Sequence, residues 1–260
     1  MEQHEISTYG DALYAALIER SPIEPLTDRA GGITLEEAYR IQLRMNQCRI
    51  DAGDRIVGKK IGVTSRVVMD MLKVGQPDFG QLFSSMVFSE GMPVPIDSLI
   101  APRAEAEVAF VLKRDLVGPG VMPSDVLRAT DFVMPCFEVV DSRIRDWKIK
   151  IQDTVADNAS CGLLVLGSVR CDPRKIDLSL AGMVLEKNGR LVSTSAGAAV
   201  QGSPVNAVVW LANTLGRLGI SLTAGEVILS GSQSPLVPVM EGDSLTCNVG
   251  GMGSTSVRFS

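Results

Sequence analysis

The amino-acid sequence predicts an α+β fold, with a helical N-terminal segment over residues 1–55 and a β-rich domain over residues 56–260. In the N-terminal segment, apolar residues recur at helical spacing. From about residue 56 the sequence changes to short apolar runs broken by Gly, Pro, Asp and Ser, a texture typical of strands joined by turns. These runs do not alternate regularly with helices, which argues against a doubly wound sheet and favours a mixed α+β body.

The N-terminal segment is predicted to contain two helices, over residues 5–20 and 34–52. The second begins with Thr34 and Glu37, which have the spacing of a capping box. Its apolar stripe consists of Ala38, Ile41 and Met45. The cap and the stripe together indicate a helix that begins near residue 34.

The body is predicted to contain short strands and two further helices, Ser124–Asp131 and Val205–Leu218. The second of these helices follows a proline and ends at a glycine, which is the usual asymmetry of helix termini. The dipeptide Asn188-Gly189 lies between two strand-like runs and is a strong signal for a hairpin. The predicted strands are Glu105–Leu112, Val133–Val140, Gly162–Leu166, Gly182–Glu186, Leu191–Thr194, Val227–Ser230, Ser244–Val249 and Ser254–Phe259.

Composition and charge argue against nucleic acid as a partner and against a membrane location. The formal net charge is -5 with both signs mixed along the chain, so there is no basic stripe with interleaved aromatic residues. Aromatic residues make up 5% of the sequence, which argues against base-stacking surfaces. No apolar run approaches the ~20 residues of a membrane-spanning helix, and the polar, acidic start lacks the features of a signal peptide.

The cysteine and histidine content narrows the compartment and the chemistry. The 5 cysteines are scattered and contain no CxxC pair, which fits free thiols in a reducing cytosol, so we expect a cytoplasmic protein. His4 is the single histidine of the sequence and lies near its start. A Ser-His-Asp triad, a Cys-His dyad or a histidine-rich metal site needs a well-placed imidazole. Acid–base chemistry is therefore expected to use Lys, Asp, Glu, Tyr or Cys.

An acidic pair lies on the first predicted strand. Residues 102–110, PRAEAEVAF, alternate with period two, so Glu105 and Glu107 share one face of the strand. The other face carries Ala104, Ala106, Val108 and Phe110. This pattern alone also fits an ordinary strand with its acidic face in solvent.

A third glutamate, Glu138, lies within residues 133–140, VMPCFEVV, a run whose composition favours burial. A buried carboxylate without a cation costs several kcal/mol or undergoes a large upward pKa shift. Such a group usually pairs with an arginine or binds a metal. Because Arg143 is close in sequence, a structural ion pair between Glu138 and Arg143 competes with metal binding at this point.

Three glutamates suit a hard cation such as Mg²⁺ or Mn²⁺, which prefers oxygen ligands. Residues i and i+2 on a strand are roughly 6.6 Å apart, whereas adjacent oxygens around an ion bound at about 2.1 Å lie roughly 3 Å apart. Glutamate side chains are long enough to lean together over that gap. Three protein ligands would leave open positions for water or a chelating substrate.

Further stretches of the chain form a recognisable pattern with the three glutamates. They are GKKIGVT at 58–64, QPDFG at 76–80, DSRIRDW at 141–147 and DTVADNASCG at 153–162. With them, the sequence resembles the hydratase branch of the fumarylacetoacetate hydrolase superfamily over nearly the whole chain. The DTVADNASCG stretch after SRIRDW is the most specific part of the resemblance.

The resemblance implies a fold, a reaction and a set of site residues. The body would be the superfamily's β-roll-type fold. The enzyme would be a lyase that adds water to 2-hydroxypenta-2,4-dienoate, a small 2-hydroxydienoic acid, giving 4-hydroxy-2-oxopentanoate in the meta-cleavage degradation of aromatic compounds. Matched by position, the site residues are Glu105, Glu107 and Glu138 as ligands of Mg²⁺ or Mn²⁺, Lys60 and Asp78 as an acid–base pair, and Ser160 near the substrate carboxylate.

Each matched residue keeps an ordinary alternative. Lys60 could instead be a surface lysine. Asp78 could form a turn after Pro77, and Ser160 could be a loop residue that hydrogen-bonds to the backbone. Which of Lys60 and Asp78 acts as acid and which as base stays open.

Related proteins supply the alternative functions. The sibling enzyme 4-oxalocrotonate decarboxylase shares the metal motif, but Asp78 within QPDFG and the DNASCG ending favour the hydratase. A non-catalytic partner subunit of that decarboxylase is a further alternative, against which the intact Lys60, Asp78 and glutamates argue. A carbon–carbon hydrolase of the superfamily is disfavoured, because those enzymes activate water with a histidine and His4 is the single histidine of the sequence. The resemblance also implies a homo-oligomer, a pentamer or decamer, and an association with the decarboxylase.

Overall fold

The computed structural model describes the backbone of residues 1–260 and every side chain except those of residues 71 and 72. The N-terminal segment forms helices α1 (Gln3–Glu19) and α2 (Leu35–Asp51), which pack against each other. The capping box expected at the start of α2 is confirmed: the Glu37 amide donates to Thr34 Oγ1 at 3.2 Å, and the Thr34 amide donates to Glu37 Oε2 at 2.8 Å.

The body follows the predicted strand-rich pattern. Its helices are α3 (Arg66–Leu72), α4 (Pro123–Ala129), α5 (Ile151–Ala156) and α6 (Pro204–Gly216). Its strands are β1 (Ile56–Gly62), β2 (Asp78–Phe83), β3 (Val87–Ser89), β4 (Pro93–Val94), β5 (Arg103–Leu112), β6 (Thr130–Val140), β7 (Cys161–Leu166), β8 (Gly182–Lys187), β9 (Arg190–Ala196), β10 (Val227–Leu229), β11 (Val237–Pro238), β12 (Ser244–Val249) and β13 (Gly253–Phe259).

The strands form two sheets. The larger has the order β2-β1-β10-β5-β6-β7-β3, with β11 also paired to β5, and the smaller has the order β4-β13-β12-β8-β9. The pairings are mixed, because β1–β10, β3–β7 and β4–β13 are parallel while the others are antiparallel. The expectation of a mixed body rather than a doubly wound sheet is therefore confirmed.

The large sheet is buried on both faces. One face of β5 contributes alternate residues such as Ala106 and Phe110 to the core that β13, β12 and α6 complete. The opposite face carries Ala109 into a second cluster with Leu82 and Phe83 of β2. Because side chains alternate along a strand, Glu105 and Glu107 project on the face of Ala109 rather than into solvent.

All eight predicted strands are present, with their ends shifted by up to three residues. The predicted helix Ser124–Asp131 extends two residues too far, because Thr130 and Asp131 already belong to β6. The strands that were not predicted are β1, β2, β3, β4 and β11, and the short helices α3 and α5 were not predicted either. Within the described part of the chain, no helix combines the length and apolar character needed to cross a membrane.

Candidate active site

The three glutamates of the sequence pattern come together in the large sheet. Glu105 lies directly opposite Glu138 in the antiparallel pair β5–β6, and Glu107 lies one step further along the same face of β5. Directly opposed residues have Cβ atoms about 5 Å apart, so their carboxyl groups can converge. One carboxylate oxygen from each glutamate lies within 4.8 Å of the other two.

Burial makes this cluster electrostatically unfavourable without a cation. Glu107 and Glu138 are each 1% exposed. Burial, and secondarily the charge of Glu138, raises the pKa of Glu105 to about 8 and that of Glu107 well above its usual range. The Gly231 amide donates to Glu107 Oε2 at 2.8 Å. A hydrogen bond to the carboxylate favours the charged form but does not balance the like charges beside it.

Lys60 lies at this cluster and is 4% exposed, so it is not a surface residue. Its Nζ is 3.1 Å from Glu138 Oε1. Burial lowers the pKa of Lys60, but the charges of Glu138 and Asp78 outweigh that effect and raise it. The alternative ion pair between Glu138 and Arg143 is wrong. Arg143 lies beyond the end of β6, where its Nε pairs with Asp157 Oδ1 at 2.5 Å.

Asp78 occupies the first position of β2, opposite Gly62 of β1. It is 2% exposed, and neither carboxylate oxygen has a hydrogen-bond partner among the described atoms. A Cβ at Gly62 would collide with Asp78 Oδ1 and come within 3.5 Å of Lys60 Nζ, so the missing side chain gives the carboxylate its space beside the ammonium. Burial raises the pKa of Asp78, and the charge of Lys60 opposes that rise.

Ser160 ends a left-handed turn that places it beside this group. Asn158, Ala159 and Ser160 have φ values of 53°, 52° and 51°, a conformation that costs non-glycine residues roughly 1–2 kcal/mol each. Ser160 is buried, and its Oγ lies 3.3 Å from Asp157 Oδ2. Gly80 of β2 has no side chain to obstruct the close approach of the turn.

The turn is held by side-chain hydrogen bonds to β2 and α2. Asn158 Nδ2 donates to the Gln81 carbonyl at 2.9 Å, and Asn158 Oδ1 accepts from the Gln81 amide at 2.8 Å. Asn46 Nδ2 of α2 donates to the same Oδ1 at 3.1 Å. Helix α2 therefore supports the turn from behind. These hydrogen bonds offset the conformational cost of the left-handed turn.

A cavity of about 580 Å³ opens onto these groups, within the size range of small-molecule sites. Its charged and polar lining includes Lys60, Asp78, Glu105, Ser160, Arg103 and Gln233, and its apolar lining includes Val63, Val67, Val68, Trp147, Ile149 and Leu236. Glu107 and Glu138 are buried and do not line the cavity.

The sequence did not single out Arg103 or Gln233. The Arg103 guanidinium lies 4.5 Å from the centre of the Trp147 ring. Its position could have been found, because residues 103, 105 and 107 share one face of the strand. No comparable signal marks Gln233, which lies in the polar loop SGSQSP after β10.

The residue set fits a divalent cation. The half-buried carboxylate of Glu105 converges with the buried carboxylates of Glu107 and Glu138. Asp78 adds a fourth nearby, and Lys60 is the ammonium beside them. Hard divalent ions prefer such all-oxygen ligands. A cation held by the glutamates would remove the charge repulsion that raises the pKa of Glu105.

Comparison with known proteins identifies the family. A 2-hydroxyhexa-2,4-dienoate hydratase of Comamonas testosteroni is 55% identical over 98% of this chain and 97% of its own length. A 2-hydroxypent-2,4-dienoate hydratase of Pseudomonas putida is 60% identical over 85% of this chain and 100% of its own. The structure of 4-oxalocrotonate decarboxylase from Pseudomonas putida G7, complexed with magnesium and adipate, superposes with a TM-score of 0.96 at 35% identity, covering 100% of this chain and 99% of that one. The family model "Fumarylacetoacetate (FAA) hydrolase C-terminal" matches residues 59–260. The chain belongs to the fumarylacetoacetate hydrolase family.

Proposed function

We propose that this protein is a divalent-metal-dependent hydratase that converts 2-hydroxypenta-2,4-dienoate to 4-hydroxy-2-oxopentanoate. The observation that carries the proposal is the convergence of Lys60, Asp78 and the three glutamates at one cavity. The 55% and 60% identical relatives named as dienoate hydratases support the substrate class.

Glu105, Glu107 and Glu138 are the proposed metal ligands, and Mg²⁺ or Mn²⁺ is the proposed ion. The magnesium complex of the 35% identical decarboxylase supports magnesium. An ion bound there would act as a Lewis acid toward the oxygens of a 2-oxo acid and stabilise negative charge on them.

Residues of the protein would transfer protons and bind the substrate. The Lys60 ammonium would donate a hydrogen bond to the 2-oxygen, where negative charge grows as the enolate forms. The buried Asp78 carboxylate, which lacks a hydrogen-bond partner among the described atoms, would accept or return a proton during water addition. Ser160 would donate to the substrate carboxylate. The apolar lining around Val67 and Trp147 would exclude solvent from the diene.

Decarboxylation of 4-oxalocrotonate is the second candidate, because the decarboxylase structure superposes closely along the whole chain. The higher identity to the hydratases favours hydration. A non-catalytic partner subunit would have no need of a buried lysine and aspartate beside a carboxylate cluster.

The test measures loss of the dienol ultraviolet band with purified protein, with EDTA and after readdition of Mg²⁺ or Mn²⁺. We expect EDTA to abolish turnover and either ion to restore it, with 4-hydroxy-2-oxopentanoate as product. Carbon dioxide released from a 2-oxo diacid at a rate rivalling hydration would instead establish the decarboxylase. Turnover that persists after thorough chelation would refute the metal dependence.

The assembly, the location and the division of the chain are further proposals. We propose that the protein is a cytoplasmic homo-oligomer, a pentamer or decamer, that also associates with 4-oxalocrotonate decarboxylase. We also propose that the helical N-terminal segment ends at residue 55 and that the β-rich catalytic domain begins at residue 56. Exposed apolar side chains, such as Leu180 at 75% and Leu191 at 64%, support burial in an assembly. Light scattering should give a mass of five or ten 27.8 kDa chains. A monomer at micromolar concentration would refute it.

A further inference from the structure

Gln233 is a buried polar side chain that lacks a protein partner. It is 5% exposed, and neither Oε1 nor Nε2 has a hydrogen-bond partner among the described atoms. Leaving such a group unsatisfied costs about 1–3 kcal/mol. A buried group of this kind in a cavity wall indicates a bound water molecule or a ligand.

The backbone fixes Gln233 next to the metal-ligand strand. Its amide donates to the Ala106 carbonyl of β5 at 3.1 Å, between Glu105 and Glu107. Two residues earlier, the Gly231 amide donates to Glu107 Oε2 at 2.8 Å. Gln233 also lines the cavity that contains Lys60 and Asp78. These backbone hydrogen bonds therefore fix the position of Gln233 relative to Glu105 and Glu107.

The unsatisfied pair of atoms limits the chemistry of the ligand. Oε1 requires a donor and Nε2 requires an acceptor. A carboxylate only accepts, and a metal ion would satisfy only the oxygen. Water and a hydroxyl group do both. In the proposed reaction one molecule of water enters and becomes the hydroxyl of the product.

We propose that Gln233 positions the water that adds to the substrate and then binds the new 4-hydroxyl group. This inference rests on the proposed hydratase function. The oxygen of water forms a bond to C4 of the conjugated ketone, and the C3–C4 π pair moves toward the 2-oxygen to give an enolate. The water loses one proton to a base of the site, and C3 then gains one, so the net addition is one molecule of water. Oε1 accepts a hydrogen from the water and leaves an oxygen lone pair free to attack C4.

The experiment separates enolisation from hydration. The variant Gln233→Met keeps the length of the side chain but cannot orient water. Exchange of the C3 protons of 2-oxopentanoate in heavy water reports enolisation alone, whereas formation of 4-hydroxy-2-oxopentanoate from the dienoate reports the full reaction including water addition. We expect exchange within about threefold of wild type and hydration lowered by about 10²-fold, since misplacement of a reacting group by 1 Å can cost that much.

Gln42→Met is the matched control. Gln42 is also a buried glutamine, but its Nε2 donates to the carbonyls of Phe79 and Val155 at 3.0 and 2.9 Å. We expect this variant to unfold at a lower temperature while keeping the wild-type ratio of exchange to hydration. A changed ratio in the control would mean that destabilisation alone produces the effect.

A binding measurement tests the hydroxyl contact directly. Wild type should bind 4-hydroxy-2-oxopentanoate more tightly than 2-oxopentanoate, by up to about tenfold for one hydrogen bond, and Gln233→Met should bind the two equally. If exchange and hydration fall in parallel and the preference for the hydroxyl persists, Gln233 only fills a structural role and the inference is overturned. If wild type exchanges protons but never hydrates the dienoate, the proposed function itself fails.

Discussion

At the scale of single residues, the buried carboxylates divide into those that the protein satisfies and those that it does not. The buried Asp157 accepts from Arg143, and the half-buried Asp54 accepts from Arg49, Ser84 and Ser85. Asp78 has no such partner among the described atoms. Native proteins satisfy buried polar groups unless another requirement prevails, so the unsatisfied carboxylate is the informative one.

Removing the Asp78 charge should impair function without impairing stability. In Asp78→Asn we expect kcat to fall by roughly 10²-fold or more, because an acid–base group is lost. The unfolding temperature should stay equal or rise, because a desolvated carboxylate near Glu138 is removed while Lys60 keeps its contact with Glu138. Steady-state kinetics and thermal unfolding of the same preparation measure kcat and the unfolding temperature.

Asp54→Asn is the control for this substitution. Its carboxylate is fully bonded, with a pKa lowered by hydrogen bonds from Ser85 and Arg49 that outweigh the effect of burial. The control should unfold earlier and keep the specific activity of the folded protein. An Asp78→Asn variant within about twofold of wild-type kcat would return Asp78 to a turn-forming role.

Replacing one metal ligand should remove the response to metal. Glu107→Gln keeps the shape and an acceptor for the Gly231 amide, but it removes one ligand charge. We expect the rise in unfolding temperature on adding Mg²⁺ to disappear and turnover to fall far more than stability. Glu226→Gln, which breaks the partly buried pair with Lys59, should lower stability and keep the metal response. The metal assignment fails if Glu107→Gln still responds normally to the ion.

At the scale of elements, predictability followed the strength of the local pattern. Strands such as β5 and β6 combine alternation or apolar runs with adequate length, and both were predicted. Strand β1 was missed because its Lys59 and Lys60 are charged, although both are buried in the fold. Helices α3 and α5 have 7 and 6 residues, too few for an amphipathic repeat.

The part of the site that could be predicted is the part in which the geometry of a single strand brings the residues together. Glu105 and Glu107 share a face by periodicity, and Glu138 followed from its apolar surroundings. The partner of Arg143 was not predictable by proximity, since Asp157 approaches through a separate helix and turn. Gln233 likewise reaches the cavity by a tertiary contact between its loop and β5. The roles of Lys60, Asp78 and Ser160 stay predictions.

The turn at residues 158–160 should depend on the side chain of Asn158. In Asn158→Ala the amide and carbonyl of Gln81 lose their partners, and the strained turn loses its anchor. We expect a loss of about 3 kcal/mol in unfolding free energy, or roughly 6–12 °C in unfolding temperature. Asn206→Ala, which removes an exposed bond to the Gln201 carbonyl, should cost far less. Equal losses in both variants would show that the turn needs no bracing.

At the scale of the whole molecule, the ion and the fold are linked through protons. The glutamate cluster must lose its protons to bind a cation, and the folded protein without metal holds those protons more tightly than the unfolded chain does. The pKa of Glu105 is about 8 because of burial and the charge of Glu138, against an ordinary value of 4.5. Metal binding and overall stability should therefore respond to pH together.

The sign of that response follows from the proton balance. Between pH 4.5 and about 8 the folded, metal-free protein binds more protons than the unfolded chain, so the Glu105 contribution to stability falls as pH rises and levels off above pH 8. The slope for one proton is at most about 1.4 kcal/mol per pH unit. With excess Mg²⁺ the ion replaces the protons, so this loss disappears.

We therefore expect the gap in unfolding temperature between Mg²⁺ and EDTA samples to widen from pH 6 to pH 8. Taking the difference at each pH cancels groups that titrate in both samples, such as Asp157, whose pKa burial raises to about 6 against the opposing charge of Arg143. Glu105→Gln should flatten the pH dependence of the EDTA sample and abolish most of the gap. A gap that is constant with pH in wild type would mean that the cluster binds the ion without releasing protons, which its buried and mutually repelling carboxylates argue against.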